Sequence, residues 1–278
     1  MDFVGIYYII TSTLFGIVIG SFLNVVIYRV PAGRTIVKGH SMCMTCGHNL
    51  AAKDLIPIIS WATLKGKCRY CGAPIASRYT KIESFNGVVF LLAALGSFRY
   101  AALALIMPGY NVQTLYILYS AVYCIAMSCA VSAMMIYYDT GKGFAGPAVC
   151  SLILKAAAVA LPFIFPVETS SVLTQILLSV LSAGCPIAVA LILCLVLKKK
   201  YTADDLFMDL TITTIPSYGL FYFFGSNIIQ ISIFSLLYGV MRALLKGTSK
   251  DKYSGIIAVV FLMAVCLVHT VLRLIGII

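Results

Sequence analysis

The 278-residue sequence predicts an all-α polytopic membrane protein with about eight transmembrane helices. Hydrophobic residues make up 62% of the chain, charged residues only 10%, and the mean hydropathy is +1.03. A soluble domain of this length needs more polar residues to cover its surface. A helix that crosses a bilayer needs roughly 20 apolar residues. The candidate runs are 4–27, 84–107, 112–137, 144–165, 171–197, 208–224, 228–245 and 254–277.

We expect the first apolar run to be a retained helix. It has no basic residue before Tyr28, it is longer than the apolar core of a signal peptide, and no small-residue cleavage motif follows it. The sequence therefore divides into transmembrane helix 1 over 1–28, a polar segment over 29–83, and a membrane domain with helices 2–8 over 84–278.

The distribution of Lys and Arg predicts the orientation. With the N-terminus outside, the inside segments hold 17 of the 20 basic residues, which agrees with the positive-inside rule. The net charge of +11 is thereby explained by topology. A nucleic-acid partner is the competing interpretation, but the basic residues are spread over every inside loop. We therefore expect a multi-pass protein of the cell membrane that contacts membrane lipid and does not bind nucleic acid.

The polar segment 29–83 contains two C-x-x-C pairs, "CMTC" at 43–46 and "CRYC" at 68–71. Two such pairs are typical of a zinc site, because each pair can direct two thiolates at one metal ion. Four thiolates complete a tetrahedron without an open position, so the site is predicted to be structural. Two disulfides are the alternative, but the predicted cytoplasmic side keeps thiols reduced. The predicted zinc ligands are Cys43, Cys46, Cys68 and Cys71, in a cytoplasmic loop domain between helices 1 and 2.

Acidic residues are few, and three of the nine lie within the segment "KKKYTADDLFMDL" at 198–210. They are Asp204, Asp205 and Asp209, and Asp139 lies at the end of the third apolar run. Ionisable residues at the edge of a membrane span are candidates for function. Two carboxylates from separate helices at one membrane face can activate a water against a peptide bond, as in aspartyl peptidases. Asp251, between two lysines, is predicted to be a solvated charge.

Helix capping is the alternative role for these acids. "TADD" before an apolar run predicts a helix start with Thr202 as N-cap, and the acids could also balance Lys198–Lys200. Asp139 has no such capping role, because a negative charge at a helix C-terminus is mildly unfavourable. Asp139 is therefore the stronger indication of function.

A family resemblance lies in residues 20–83. The segment "GSFLNVVIYRVP" (20–31), the segment "CMTCGHNLAAKDLIPIISWATLKGKCRYCGAPIASRY" (43–79) and Glu83 resemble the type IV prepilin peptidases. These are bacterial inner-membrane aspartyl proteases. Elsewhere the resemblance rests on hydropathy, the helix count and the placement of the acids.

The resemblance implies cleavage of the leader peptide of type IV prepilins or pseudopilins at the cytoplasmic face. It also implies N-methylation of the new N-terminus with S-adenosylmethionine, for which no residue can be assigned. The family's two catalytic aspartates correspond to Asp139 and, within a G-x-G-D motif, to Asp205. Both glycines of that motif are replaced, by Thr202 and Asp204, so the register between Asp204 and Asp205 stays open. Asp209, one turn later, is a further candidate.

Two other functions are compatible with the sequence. The missing glycines favour a catalytically silent membrane scaffold that keeps the zinc domain and binds pilin-like proteins without cutting them. A transporter with a proton relay is a weaker interpretation, because the acids lie at one membrane face and do not cross the bilayer.

Overall fold

The computed structural model describes residues 3–106, 111–164, 172–213 and 228–260. Within these ranges the regular secondary structure is helical, residues 30–77 are mostly turns and irregular chain, and the only β pairing consists of two isolated bridges. The all-α class is therefore confirmed. The helices are α1 (Phe3–Arg29), α2 (Ile59–Thr63), α3 (Arg78–Ile106), α4 (Asn111–Thr140), α5 (Ala145–Ile164), α6 (Val172–Val196), α7 (Ala203–Thr213) and α8 (Ile228–Leu245).

The predicted apolar runs fall on these helices. Runs one to five lie in α1, α3, α4, α5 and α6, and the seventh coincides with α8. Helix α3 begins at Arg78, ahead of the predicted run at 84, because hydropathy marks the apolar part of a helix and misses a polar first turn. The sixth run begins in α7, but its remainder, 214–224, lies outside the described residues, as does most of the eighth run, 261–277.

Two helices in the described ranges are long and apolar enough to cross a membrane, Gly5–Arg29 and Ser120–Thr140. Large apolar side chains also face outward on several helices, as lipid-facing residues do. On α1 they are Phe3, Ile6, Tyr7, Ile10, Leu14, Phe15, Val18, Phe22 and Tyr28. Apolar helices of this kind indicate a membrane protein, while the number of eight spans and their orientation stay predictions.

Helices α1, α3 and α4 pack closely around one buried amide. Asn86 of α3 donates from Nδ2 to the carbonyl of Gly16 at 2.7 Å, and its Oδ1 accepts from Ser128 of α4 at 3.1 Å. Gly20 lies against the backbone of Glu83, where a Cβ would be 2.8 Å from the Glu83 Cα. Small residues at such contacts let membrane helices approach closely, and buried amides link them. This packing fixes the start of α3 against α1.

Candidate active site and metal site

The four predicted metal ligands lie together. The Sγ atoms of Cys43, Cys46, Cys68 and Cys71 are all within 4.8 Å of one another. Sγ of Cys43 is 3.9 Å from Sγ of Cys71, too far for a disulfide and close to the spacing of sulfurs around one tetrahedral ion. The donor set therefore fits a metal ion, and the thiols of the cluster are not disulfide-bonded.

Each cysteine pair lies in the same tight turn. Gly47 and Gly72 follow the second cysteine of each pair with φ of 70° and 72°, a conformation that favours glycine. Their amides donate to the carbonyls of Cys43 and Cys68, both at 2.9 Å. Backbone hydrogen bonds from Cys46 and Thr45 lower the pKa of the Cys43 thiol to about 6. The first turn thus favours the thiolate that a metal requires. In the second turn a backbone hydrogen bond from Ala73 acts in the same direction, but burial and the neighbouring thiols raise the pKa of Cys71 to about 11.

The segment that carries the cysteines has almost no core. Of residues 31–77, only Gly66 and Cys68 are buried. A segment this exposed cannot balance its conformational entropy through apolar burial. A metal ion held by the four thiolates is the cross-link that would stabilise it.

Two side chains attach this segment to its surroundings. Trp61 donates from Nε1 to the carbonyl of Ile75 at 3.0 Å, which joins α2 to the second cysteine turn. Glu83 on α3 accepts from the amide of Ile58 at 2.8 Å. Ile58 has a φ of 61°, an unfavourable value for a β-branched residue, so this hydrogen bond holds a strained turn against α3.

Asp139 lies near the end of α4 in a two-pronged ion pair. Arg78 donates from its two terminal nitrogens to the two carboxylate oxygens, at 2.7 and 2.5 Å. The side chains are partly exposed, 38% for Arg78 and 31% for Asp139. Arg78 is the first residue of α3 and lies within the polar segment 29–83, which carries the cysteines. The predicted catalytic acid is therefore in direct contact with that segment.

Asp205 is fully buried, and its carboxylate accepts five hydrogen bonds. Oδ2 accepts from the amide of Thr202 at 2.8 Å and its hydroxyl at 2.6 Å. Oδ1 accepts from Tyr137 at 2.8 Å, Arg242 at 2.6 Å and Lys246 at 2.5 Å. Burial alone would raise the pKa of Asp205, but the hydrogen bonds from Lys246 and Thr202 lower it to about 2. Helix α7 begins at Ala203 and the Thr202 hydroxyl accepts from the amide of Asp205 at 3.4 Å, which confirms the predicted N-cap.

Arg242 is the centre of a buried ionic cluster, the Arg242 cluster. Its guanidinium binds Asp205, Asp209 at 3.0 Å and Asp251. Lys246 lies 3.4 Å from Asp251. The prediction that Asp251 is solvated is wrong, because α8 and the turn after it enclose its carboxylate. Two tyrosines complete the cluster by donating to Asp209: Tyr201 at 2.5 Å and Tyr238 at 2.6 Å.

Sequence reasoning missed the two cations of this cluster. Arg242 and Lys246 are four residues apart on one face of a helix, as are Asp205 and Asp209. A basic residue inside the apolar run 228–245 was the available signal. Lys199 does not balance the charge of the acids, the alternative role considered for Lys198–Lys200. Its Nζ donates to the carbonyls of Ala243 and Leu244, both at 2.9 Å, and so caps the end of α8.

Asp139 and Asp205 have separate hydrogen-bonding partners. Across the described part of the chain, the two carboxylates have no hydrogen-bonding partner in common. Asp204 differs from both of them: it is half-buried and accepts from the amide of Gly143, in the turn just after Asp139, at 3.1 Å. Both ends of the predicted site, the end of α4 and the start of α7, are thus in contact.

Replacing Gly143 with alanine is expected to disturb this contact. A Cβ at Gly143 would overlap the backbone carbonyl of Asp204, so the turn or α7 must shift. We expect a loss of about 1–3 kcal/mol in unfolding free energy, measured by denaturant titration in detergent. Gly146→Ala is the matched control, since a Cβ there meets nothing within 4 Å. Equal stability of the two variants would contradict the close contact.

Comparison with known proteins finds a similarity in the N-terminal part of the chain. Residues 14–97 match the family described as Bacterial Peptidase A24 N-terminal domain. A prepilin leader peptidase/N-methyltransferase of Myxococcus xanthus is 49% identical over 75 residues, 27% of this chain and 22% of that protein. A type 4 prepilin-like proteins leader peptide-processing enzyme of Escherichia coli is 36% identical over 104 residues, 31% and 39% of the two chains.

A prepilin leader peptidase/N-methyltransferase of Burkholderia pseudomallei is 31% identical over 137 residues, covering 37% of this chain and 44% of that protein. The chain thus spans less than half the length of these curated relatives. No solved structure gives a significant match. Residues 14–97 are therefore similar to the bacterial peptidase A24 N-terminal domain, and the resemblance of this chain to the type IV prepilin peptidases is confirmed.

Proposed function

We propose that this protein is a membrane aspartyl endopeptidase that removes the leader peptide of type IV prepilin-like proteins at the cytoplasmic membrane face. The observation that carries the proposal is the ion pair between Arg78 and Asp139. Through it the domain that matches the prepilin peptidases contacts the acid that the sequence predicts to be catalytic. The names of the relatives support prepilin processing as the activity.

The chemistry needs two carboxylates and one water. An ionised carboxylate takes a proton from the water as its oxygen bonds to the scissile carbonyl carbon. The second carboxyl group, protonated, donates to the amide nitrogen as the C–N bond breaks. Asp139 supplies one group, and the start of α7 supplies the other: the family motif implies Asp205, and Asp204 is the alternative in the neighbouring register. S-adenosylmethionine would supply the methyl group for the new N-terminus, as the relatives' names suggest.

Zinc is the metal we propose for Cys43, Cys46, Cys68 and Cys71, with a structural role. Four thiolates leave no open position for a water, so the ion would hold the loop domain and take no part in proteolysis. With the N-terminus outside, this domain lies on the cytoplasmic side. There a prepilin-like substrate can place its helix in lipid and its leader junction beside Asp139.

A catalytically silent scaffold is the second candidate, and one observation favours it. Asp205 is enclosed by Arg242 and Lys246 with its oxygens fully occupied, and the glycines of the family motif are absent. Such a protein would bind prepilin-like proteins through the same domain and leave them uncut.

Leader cleavage of a co-expressed prepilin-like protein of the same organism tests the proposal. We expect the wild type to shift the substrate to the processed size on a gel and Asp139→Asn to abolish the shift. The control is Lys142→Gln, three residues further on and exposed, which is expected to cut like the wild type. Mass spectrometry of the product's N-terminus detects the added methyl group. A folded wild type that co-purifies with the substrate yet never cuts it supports the scaffold.

A further inference from the structure

We infer that Asp204, and not Asp205, is the carboxylate that acts with Asp139. This inference rests on the proposed peptidase function and deepens it, because the family motif alone assigns the role to Asp205. Three features of the structure carry it: the direction of the side chains on α4, the saturation of Asp205, and the environment of Asp204.

The first feature is the geometry of the end of α4. Tyr137 is buried and donates to Asp205, so Asp205 lies on the face of α4 that Tyr137 occupies. Residues two apart in a helix do not share a face. Asp139, two residues later, is directed to the partly exposed side where it binds Arg78. Asp205 and Asp139 therefore lie on different sides of the same helix end.

The second feature is that Asp205 has no capacity left for a reacting water. A carboxylate offers about four lone-pair positions, and Asp205 already accepts five hydrogen bonds from Thr202, Tyr137, Arg242 and Lys246. Its side chain is only 1% exposed. A water could reach it only if the Arg242 cluster came apart. Asp205 is thus a positioning residue that caps α7 and binds it to α8.

The third feature is the environment of Asp204. Its Oδ1 accepts one hydrogen bond, from the amide of Gly143 at 3.1 Å, and within the described ranges it forms no ion pair. Gly143 belongs to the short turn that follows Asp139, where Gly141 has a φ of 67°. Of the acids at the start of α7, Asp204 is thus the one that binds the turn directly after Asp139. With a half-buried side chain, Asp204 keeps lone pairs for a water.

In this assignment Asp139 and Asp204 carry out both proton transfers of the reaction. One of the two carboxylates accepts a proton from the attacking water, and the other, protonated, gives its proton to the departing amide nitrogen. Asp205 neither gains nor loses a proton. It holds the start of α7, and with it Asp204, against the turn at Gly143.

Kinetics and thermal unfolding of single Asn variants test the inference, using the purified full-length protein and a purified prepilin-like substrate in detergent. We expect Asp204→Asn to lower kcat at least about 100-fold with KM and the unfolding midpoint unchanged. Asp205→Asn is expected to lower the midpoint by about 5 °C or more, with activity falling only as the folded fraction falls. Asp209→Asn is the matched structural control and is expected to behave like Asp205→Asn.

The possible outcomes distinguish failure of this inference from failure of the proposed peptidase function. If Asp205→Asn loses kcat while its midpoint is unchanged and Asp204→Asn cuts normally, Asp205 is the catalytic residue and the inference is overturned while the peptidase stands. If the folded wild type does not cut any substrate tested, the peptidase and the inference fail together. A higher kcat in Asp204→Glu than in Asp204→Asn would add support. Glutamate keeps a carboxylate that can transfer a proton, whereas its longer side chain does not reproduce the hydrogen bond of Asp204 to the Gly143 amide.

Discussion

Replacing Arg242 with methionine is expected to lower the unfolding free energy by about 3–5 kcal/mol, the cost of breaking a buried ion pair from one side. The Arg242 side chain is 0% exposed and binds Asp205, Asp209 and Asp251. Methionine fills much of the same volume but leaves Asp209, itself fully buried, without its cation. The loss therefore comes mainly from carboxylates left unpaired and less from lost packing.

Denaturant titration of the protein in detergent micelles measures this effect. Lys250→Met is the control, since Lys250 is exposed and forms no ion pair within the described residues; it should change stability by less than about 0.5 kcal/mol. Combining Arg242→Met with Asp209→Asn should cost less than the sum of the single changes, because one unpaired charge is removed. A stability of Arg242→Met equal to that of the control would show that the cluster does not hold α7 and α8 together.

Replacing Cys68 with serine is expected to unfold the cysteine-bearing segment and leave the membrane helices assembled. Cys68 is the only buried cysteine of the four, and only Gly66 is buried with it in residues 31–77. For small metal domains, binding of the ion and folding are one process. Without a fourth thiolate, the segment has too little apolar burial to stay folded.

Metal content and tryptophan fluorescence report this change together. The wild type should carry about one zinc ion per chain and the variant much less. Trp61 is the single tryptophan of the sequence and lies in this segment, so its emission should shift to the red in Cys68→Ser, and in the wild type after chelation. Cys185→Ser, in α6, is the control and should keep both metal and emission. An unchanged emission in a metal-free protein would mean that the segment folds without an ion.

The sequence was sufficient for features that depend on local spacing. The cysteine turns need only two C-x-x-C pairs with a following glycine, and Gly47 and Gly72 adopt the positive φ that this pattern requires. The helices follow from apolar runs of the right length. The start of α7 follows from Thr202, because an N-cap is recognised by residues a few positions apart.

Contacts between distant helices could not be predicted in the same way. Arg78 and Asp139 are 61 residues apart, and nothing in their local sequences indicates that α3 and α4 bring them together. Asp251 shows the same limit: its neighbours in sequence are lysines, yet its partner Arg242 comes from the helix before it. Local charge predicts a solvated residue there, and helix packing decides otherwise.

The Arg242 cluster also has a consequence for the order in which the protein is made. Arg242 follows Asp209 by 33 residues in the chain, so the ribosome produces Asp205 and Asp209 well before the guanidinium that binds them. An unpaired carboxylate does not settle in hydrocarbon. In the predicted eight-helix topology, we therefore expect α7 to stay at the membrane surface until α8 has been synthesised and inserted. We expect α7 and α8 to insert together in a late step of biogenesis, when Arg242 pairs with the carboxylates of α7.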